Sequence, residues 1–351
     1  MFLQQTSWQN VFFLPLPSMA FEVPFFLREI FNKPTENLVI AVIPLLFALY
    51  RLRSKPPRRV LKVPHTQERV LILGASSGIG RSVARQYSSR GARVCVVGRR
   101  AALLDEVVQE CRNARPVKDC EGDVFSVAAD FSSPEDMVLV RSVIDDTWGG
   151  LDTLVVAAGV SALQPLLTVA GSEAVKGTAL AETTKEGIQR AVDVSLAAIR
   201  GNYTGPLVAA VTFIPTLENT SAAPSIVLVN SLASVIPAPT RTLYASTKAS
   251  SLVLYQALSI EHPRIAFTHF MPYTVEGDFR ASAVDSGPVR ERDPSKTGLK
   301  REDVAARCIR AADAAEKAVF MPGWMRFAHL LYWAWPSFIE KKARKKYNFE
   351  I

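Results

Sequence analysis

The sequence predicts a doubly wound α/β domain, a parallel sheet covered by helices on both faces. Three observations carry that prediction. Short runs rich in Val, Ile and Leu recur between residues 69 and 272. Segments of helical length and period separate them. The first run closes on a glycine-rich turn, "GASSGIG" (74–80), that opens a helix. An apolar, proline-punctuated region (1–64) precedes this domain (65–317), and an aromatic, then basic tail (318–351) follows it.

The strands follow in order. "RVLILG" (69–74), "ARVCVVG" (92–98), "LDTLVVAAG" (151–159), "SIVLVNS" (225–231) and "IAFTHFMP" (265–272) are continuous rather than alternating apolar runs. That is the signature of strands buried on both faces. "VAADFSS" (127–133) ends another strand. "GRSVARQYSSRG" and "AALLDEVVQECRNA" read as helices between them. No internal repeat occurs.

Composition sets the wider bounds. Hydrophobic residues make up 48% of the 351, and charged residues 21%, which are globular values. The net charge of +8 is compatible with nucleic acid or an anionic membrane surface, and its distribution favours the membrane. Basic residues crowd into 51–62 ("RLRSKPPRRVLK") and 341–346 ("KKARKK"), each beside apolar sequence. No nucleic-acid partner is expected. The stretch Leu38 to Tyr50 makes a helix of only about 20 Å against a hydrocarbon core near 30 Å, and Pro44 interrupts it. A proline-turned hairpin or interfacial anchor therefore competes with a single span. If the segment spans, the arginines after it place the catalytic domain in the cytosol. The tail reads as a membrane-interface segment, with a helix buried in a homodimer contact as the alternative. Cys95, Cys111, Cys120 and Cys308 show neither metal-ligand spacing nor a disulfide framework, and no metal is expected.

Chemistry enters with the turn. Gly74, Gly78 and Gly80 allow a tight bend and let the backbone approach a pyrophosphate, which the helix N-terminus stabilises. The second strand ends "VVGRR", without the acidic residue that reads a ribose 2′-hydroxyl. Arg99 and Arg100 suit a 2′-phosphate, so NADP(H) is the expected cofactor. Asp130 is placed to accept a hydrogen bond from an adenine amino group. Further on, "YASTK" puts Tyr244 and Lys248 four apart on one helix face. A positive charge there lowers the pKa of a phenol toward the range of a general acid/base. Such a pair can arise by accident in a chain with 8 tyrosines.

The combination of "GASSGIG", "VAAG" and "YASTK", in that order, resembles the short-chain dehydrogenase/reductase family from Val70 to Val319. The resemblance implies a Rossmann-type fold and a catalytic set of Asn202, Ser231, Tyr244 and Lys248. In it Tyr244 is the general acid/base, Lys248 its activator, Ser231 the hydroxyl on the substrate carbonyl, and Asn202 the holder of a proton-relay water. Ser231 lies 13 residues before Tyr244, the family's interval. Implied cofactor contacts run over Ser76, Ser77 and Ile79 in the turn and Phe131 beside Asp130. They continue through Ala158 and Gly159, the catalytic Tyr244 and Lys248, and Pro272 and Val275.

The chain departs from the family pattern in places. Leu73 replaces a threonine, "VAAG" an Asn-Asn-Ala-Gly, and Tyr273 the glycine after Pro272. Gly159 to Asn202 is also longer than usual. Its extra stretch, "TVAGSEAVKGTALAETTKEG", reads as a surface loop or part of the substrate entrance. Selectivity is expected in the loop after Pro272.

The region around "YASTK" and the tail "FMPGWMRFAHLLYWAWPSFIE" is similar to the branch of 11β-hydroxysteroid dehydrogenase-like proteins and the steroleosins of plant oil bodies. That similarity implies a lipophilic carbonyl or alcohol reached from the endoplasmic reticulum or a lipid-droplet surface. A long-chain ketone reductase of the 3-ketodihydrosphingosine type, or a catalytically silent membrane scaffold, are the alternatives.

Overall fold

The computed structural model describes residues 59–116, 122–173, 179–287 and 297–349. The proposed N-terminal anchor through residue 58, Cys120, and residues 288–296 of the expected selectivity loop lie outside them. Seven parallel strands form one sheet in the order β3-β2-β1-β4-β5-β6-β7. They are β1 (Arg69–Leu73), β2 (Arg93–Gly98), β3 (Val124–Ala128), β4 (Thr153–Val156), β5 (Ser225–Val229), β6 (Ala266–Pro272) and β7 (Ala318–Met321). The order reverses between β1 and β4, whose ends pair Leu73 with Val156. Open α/β sheets bind ligands in the crevice at such a point.

Alternation within β1 shows why its sequence is unbroken hydrocarbon. Val70 and Ile72 join the core on one face, and Leu71 and Leu73 join the core on the other. The first core is closed by helices α1 (Gly78–Ser89), α2 (Ala101–Ala114) and, later in the chain, α7 (Arg301–Asp313). The second is closed by α3 (Pro134–Trp148), α5 (Gly205–Thr220) and α6 (Thr242–Glu261). Helix α4 (Lys185–Ile199) runs into α5 through a π-helical turn, Arg200–Thr204.

Local chemistry sets the helix ends. At α3, Ser133 Oγ accepts from the Asp136 N–H, Pro134 occupies the first turn, and Gly149 closes the helix at φ 67°. Thr184 caps α4 by accepting from the Gly187 N–H.

Two expectations change. The domain does not end at 317, because β7 pairs with β6 in register from His269↔Ala318 to Pro272↔Met321. A four-residue edge strand is too short to show a period. The basic run 51–62 is not uniformly a surface feature. Arg59 is buried, paired with Glu68 at 2.6 Å, and donates to Thr153 Oγ1 and to the Asp152 and Ala223 carbonyls beneath the sheet. The tail is two helices, α8 (Met325–Ala334) and α9 (Pro336–Lys346), which fold back onto the domain. No described helix is long and apolar enough to cross a membrane. Cys95, Cys111 and Cys308 are free and buried.

Candidate active site

One cavity of about 1640 Å³ opens at the carboxyl ends of the strands. Small-molecule sites are commonly about 300–1,000 Å³, so there is room for a dinucleotide and a substrate together. Its walls take in every residue expected at the site except Gly80 and Asn202.

The glycine turn forms the first wall. Gly74 has φ 89°, and a Cβ there would stand 2.5 Å from the Ala158 backbone. A Cβ on Gly80 would stand 2.3 Å from the Gly74 carbonyl oxygen, so Gly80 acts behind the wall by letting α1 approach the strand end. Ser77 leads α1 without a side-chain cap, leaving the first-turn N–H groups to an anion. Arg100 Nη2 donates to Ser76 Oγ at 2.9 Å and to Ser77 Oγ at 3.3 Å, which holds its guanidinium over the turn. Arg99 is exposed beside it. This cradle of bare backbone, a helix N-terminus and two guanidinium groups fits a dinucleotide phosphate.

Asp130 is engaged already. Its Oδ1 accepts from the Ser132 N–H and Oγ–H, and its Oδ2 from Arg200 Nη2 at 3.1 Å. Burial alone would raise its pKa. The Ser132 hydrogen bonds, with Arg200 and Arg99, outweigh that and hold it below the usual aspartate value. Phe131 packs its ring where any side chain on Gly205 would sit.

At the other end, Ser231 follows β5 and its Oγ accepts from the Ala233 N–H at 3.1 Å. That bond uses a lone pair and leaves the hydroxyl proton to donate. Asn230, which sequence reasoning passed over, accepts from the Ser231 N–H and donates to the Lys248 carbonyl, tying serine and lysine together. Tyr244 and Lys248 stand on α6, both buried. Lys248 Nζ donates to the Val229 carbonyl at 3.2 Å, and burial pushes its pKa down to about 8. A Cβ on Gly159 would lie 3.1 Å from that Nζ, so the glycine makes room for the ammonium.

Asn202 sits in the π-turn, a distortion frequent at functional sites, and is fully buried. Its Oδ1 accepts from the Val160 N–H, and its Nδ2 donates to the Val160 carbonyl and to Thr247 Oγ1. The side chain therefore braces the chain after β4 rather than lining the cavity.

The substrate half was the least legible part. The loop after β6 lines it, including Thr274, Phe279 and Val284. The described residues of the 168–187 stretch do not line it, and residues 174–178 lie outside those described. The tail supplies the remaining wall, through Trp324, Phe327, Leu331, Phe338, Ile339 and Tyr347. His329 Nδ1 donates to the Val235 carbonyl at 2.9 Å, anchoring α8 beside β5's exit. Tyr273, the departure after Pro272, carries Lys346 over its ring at 3.9 Å. Elsewhere His65, Glu68 and Asp313 converge as metal-donor types, but Arg59 and Arg90 already hold their carboxylates.

The model of the short chain dehydrogenase family matches residues 68–286. The chain belongs to that family. It is 31% identical over 281 residues to 11-beta-hydroxysteroid dehydrogenase A of Sesamum indicum, covering 77% of this chain and 71% of the relative. It is 28% identical over 273 residues to a hydroxysteroid 11-beta-dehydrogenase 1-like protein of Gallus gallus, covering 77% and 83%. These relatives place it in the 11β-hydroxysteroid dehydrogenase-like branch, and with the family make it an oxidoreductase. In fold it matches a short chain dehydrogenase/reductase of Burkholderia phymatum solved with NAD, at TM-score 0.63 and 16% identity over 79% of this chain and 96% of that one. It also matches an alcohol dehydrogenase of Thermococcus sibiricus solved with 5-hydroxy-NADP, at TM-score 0.57 and 22% identity over 72% and 94%.

Proposed function

We propose that the protein is an NADP(H)-dependent oxidoreductase of a lipophilic ketone or secondary alcohol, with Tyr244 as general acid/base. The observation that carries this is one cavity running from the Gly74–Ile79 turn to the phenol of Tyr244, the ammonium of Lys248 and the hydroxyl of Ser231. Bound nicotinamide supplies or accepts the hydride. Ser231 donates to the substrate oxygen and orients it. Tyr244 passes a proton to that oxygen or takes one from it. Lys248, one helical turn from Tyr244 on the same face, favours the phenolate by its positive charge. Asn202 holds the Val160 backbone in place and so shapes the floor beneath Lys248.

Arg99 and Arg100 support NADP(H), since a 2′-phosphate takes charge-assisted bonds that NAD(H) lacks. Arg100→Ala is expected to weaken NADPH binding about 10- to 100-fold and NADH binding little. Equal losses would remove the phosphate-reading role.

The apolar tail wall supports a lipophilic substrate. Its outer side supports a membrane or lipid-droplet partner, because Leu330, Trp333 and Trp335 are exposed on one segment, with Lys341, Lys342 and Lys345 following. We place the protein on the endoplasmic reticulum or droplet surface, with its catalytic domain in the cytosol. Ile188, Val192 and Leu196, exposed at four-residue spacing on α4, suit a second copy of the chain.

The test is NADPH consumption by the full chain in detergent, with a steroid ketone and a long-chain ketone as substrates. Turnover of either supports the reading, and binding of NADPH without turnover of any lipophilic ketone or alcohol would contradict it. In parallel, a Leu330→Ser/Trp333→Ser variant should lose most sedimentation with phosphatidylcholine–phosphatidylserine vesicles; unchanged sedimentation would remove the tail from the membrane.

A further inference from the structure

Residue 241 leads the helix that carries Tyr244, and it is an arginine with 8% exposure. A buried guanidinium is costly unless its donors are used. Arg241 Nη1 donates to Ser161 Oγ at 3.1 Å and to the Ala162 carbonyl at 3.2 Å, both on the chain leaving β4. Ser161 in turn bridges to the cavity loop, its carbonyl accepting from the Val284 N–H at 2.9 Å. The guanidinium lies over two rings, 5.8 Å from the centroid of Tyr244 and 6.0 Å from that of Tyr347. The backbone enters through Thr240 at φ 63°, a conformation seldom adopted outside glycine. Strain of this kind gathers at functional sites.

We propose that Arg241 is a positioning residue for the reaction, which fixes the Tyr244 ring against the chain leaving β4 and couples it to Tyr347 of the C-terminal segment. The proposal deepens the assignment of Tyr244 as general acid/base and rests on it. A second tie lies at the same end of the tail, where Lys346 Nζ sits over Tyr273 at 3.9 Å and Tyr347 at 4.9 Å and donates to Thr274 Oγ1 at 3.4 Å. The two ties join the segment that walls the substrate space both to the catalytic helix and to the loop after β6. A fixed cation over a phenol favours the phenolate as well as the ring. The other charged groups around this end of the cavity are Lys248 on α6, Asp278 and Arg280 on the loop, the Glu276–Arg301 pair, and Lys342 and Lys346 on α9. Arg241 is distinguished from them by lying over the Tyr244 ring itself while hydrogen-bonded to the β4 exit.

The experiment follows the titration of Tyr244 directly, in full chain in detergent, by carbon-13 labelling of tyrosine at the hydroxyl-bearing ring carbon. Tyr244→Phe assigns the signal. Arg241→Met is expected to raise the titration midpoint by about one pH unit. Arg241→Lys, which keeps the charge, should raise it by less than half as much, and Tyr347→Leu should raise it by a smaller step in the same direction. Should Arg241→Met not fold, Arg241→Gln keeps donor capacity, loses the charge, and carries the same expectation. An unmoved midpoint in all the Arg241 variants would overturn the proposal. A shifted midpoint in a protein that turns over no ketone would instead leave Arg241's influence standing and remove the enzyme reading, so the two failures are separable.

Discussion

Gly159→Ala probes the packing behind Lys248 with a single methyl group. Built on the backbone, the Cβ lies 2.8 Å from Asn202 Oδ1 and 3.1 Å from Lys248 Nζ. Ordinary contact begins at 3.4 Å, so about 0.6 Å must be absorbed at Asn202 and about 0.3 Å at the ammonium. Lysine can yield by bending its stem. Asn202 cannot yield as cheaply, because it is fully buried and spends its amide on Val160 and Thr247. Breaking one such bond leaves a buried polar group unmet, worth about 1–3 kcal/mol. For a domain of this size that is a fall in melting temperature of roughly 2–4 °C per kcal/mol. A shift of the lysine by even part of an ångström is expected to cut kcat by about 10- to 100-fold. Calorimetry and NADPH-linked turnover measure both effects. Asn202→Ala should relieve most of the clash, so the methyl should cost less in that background. Equal cost in both backgrounds, or no cost at all, would refute the steric reasoning.

Two further substitutions separate stability from activity. Lys248 titrates near 8 in the fold against an ordinary 10.5. Between those values the unfolded chain binds more protons, so stability rises with pH there, and the burial penalty is fully present below about pH 8. Lys248→Met is therefore expected to stabilise the protein by about 2 kcal/mol at neutral pH, after losing the Val229 bond, while abolishing most turnover. Denaturant unfolding at neutral pH and near pH 10 would show the gain shrinking; a loss of stability at neutral pH would contradict it. Arg59→Met leaves Glu68 buried without its cation and should cost about 3–5 kcal/mol in unfolding free energy. Arg59→Met/Glu68→Leu should recover most of that, and a double variant no better than the single one would show that the pair is not the source.

The cofactor half of the site was legible because its determinants are local. Gly74 to Gly80, the residues after β2, and the Tyr244–Lys248 pair each lie within one turn or one strand–helix junction, where spacing fixes geometry. Asn202 was found by its motif, but its task was not, since it depends on a bond to Val160, 42 positions away. The substrate half depends on still longer closures. Tyr273 departs from the family pattern beside Pro272, and its partner, Lys346 over its ring, comes from the last turn of α9. Tail residues such as Trp333 and Phe338 carry amphipathic periodicity that fits a membrane surface and a cavity wall equally well. The fold gives some of them to each: Leu331 and Ile339 line the cavity, whereas Trp333 is 75% exposed. Arg241 had no signal beyond its place three residues before the tyrosine.

The proposed function stands on Tyr244 as the group that moves the proton on a carbonyl or alcohol held beside bound nicotinamide. Tyr244→Phe removes one hydroxyl from a buried ring and leaves the glycine cradle untouched. The direct measurement compares NADPH binding and ketone reduction in wild type and Tyr244→Phe, side by side in the same detergent. The account predicts unchanged NADPH affinity and a loss of turnover of at least about 10³-fold. Turnover within a few-fold of wild type would contradict it.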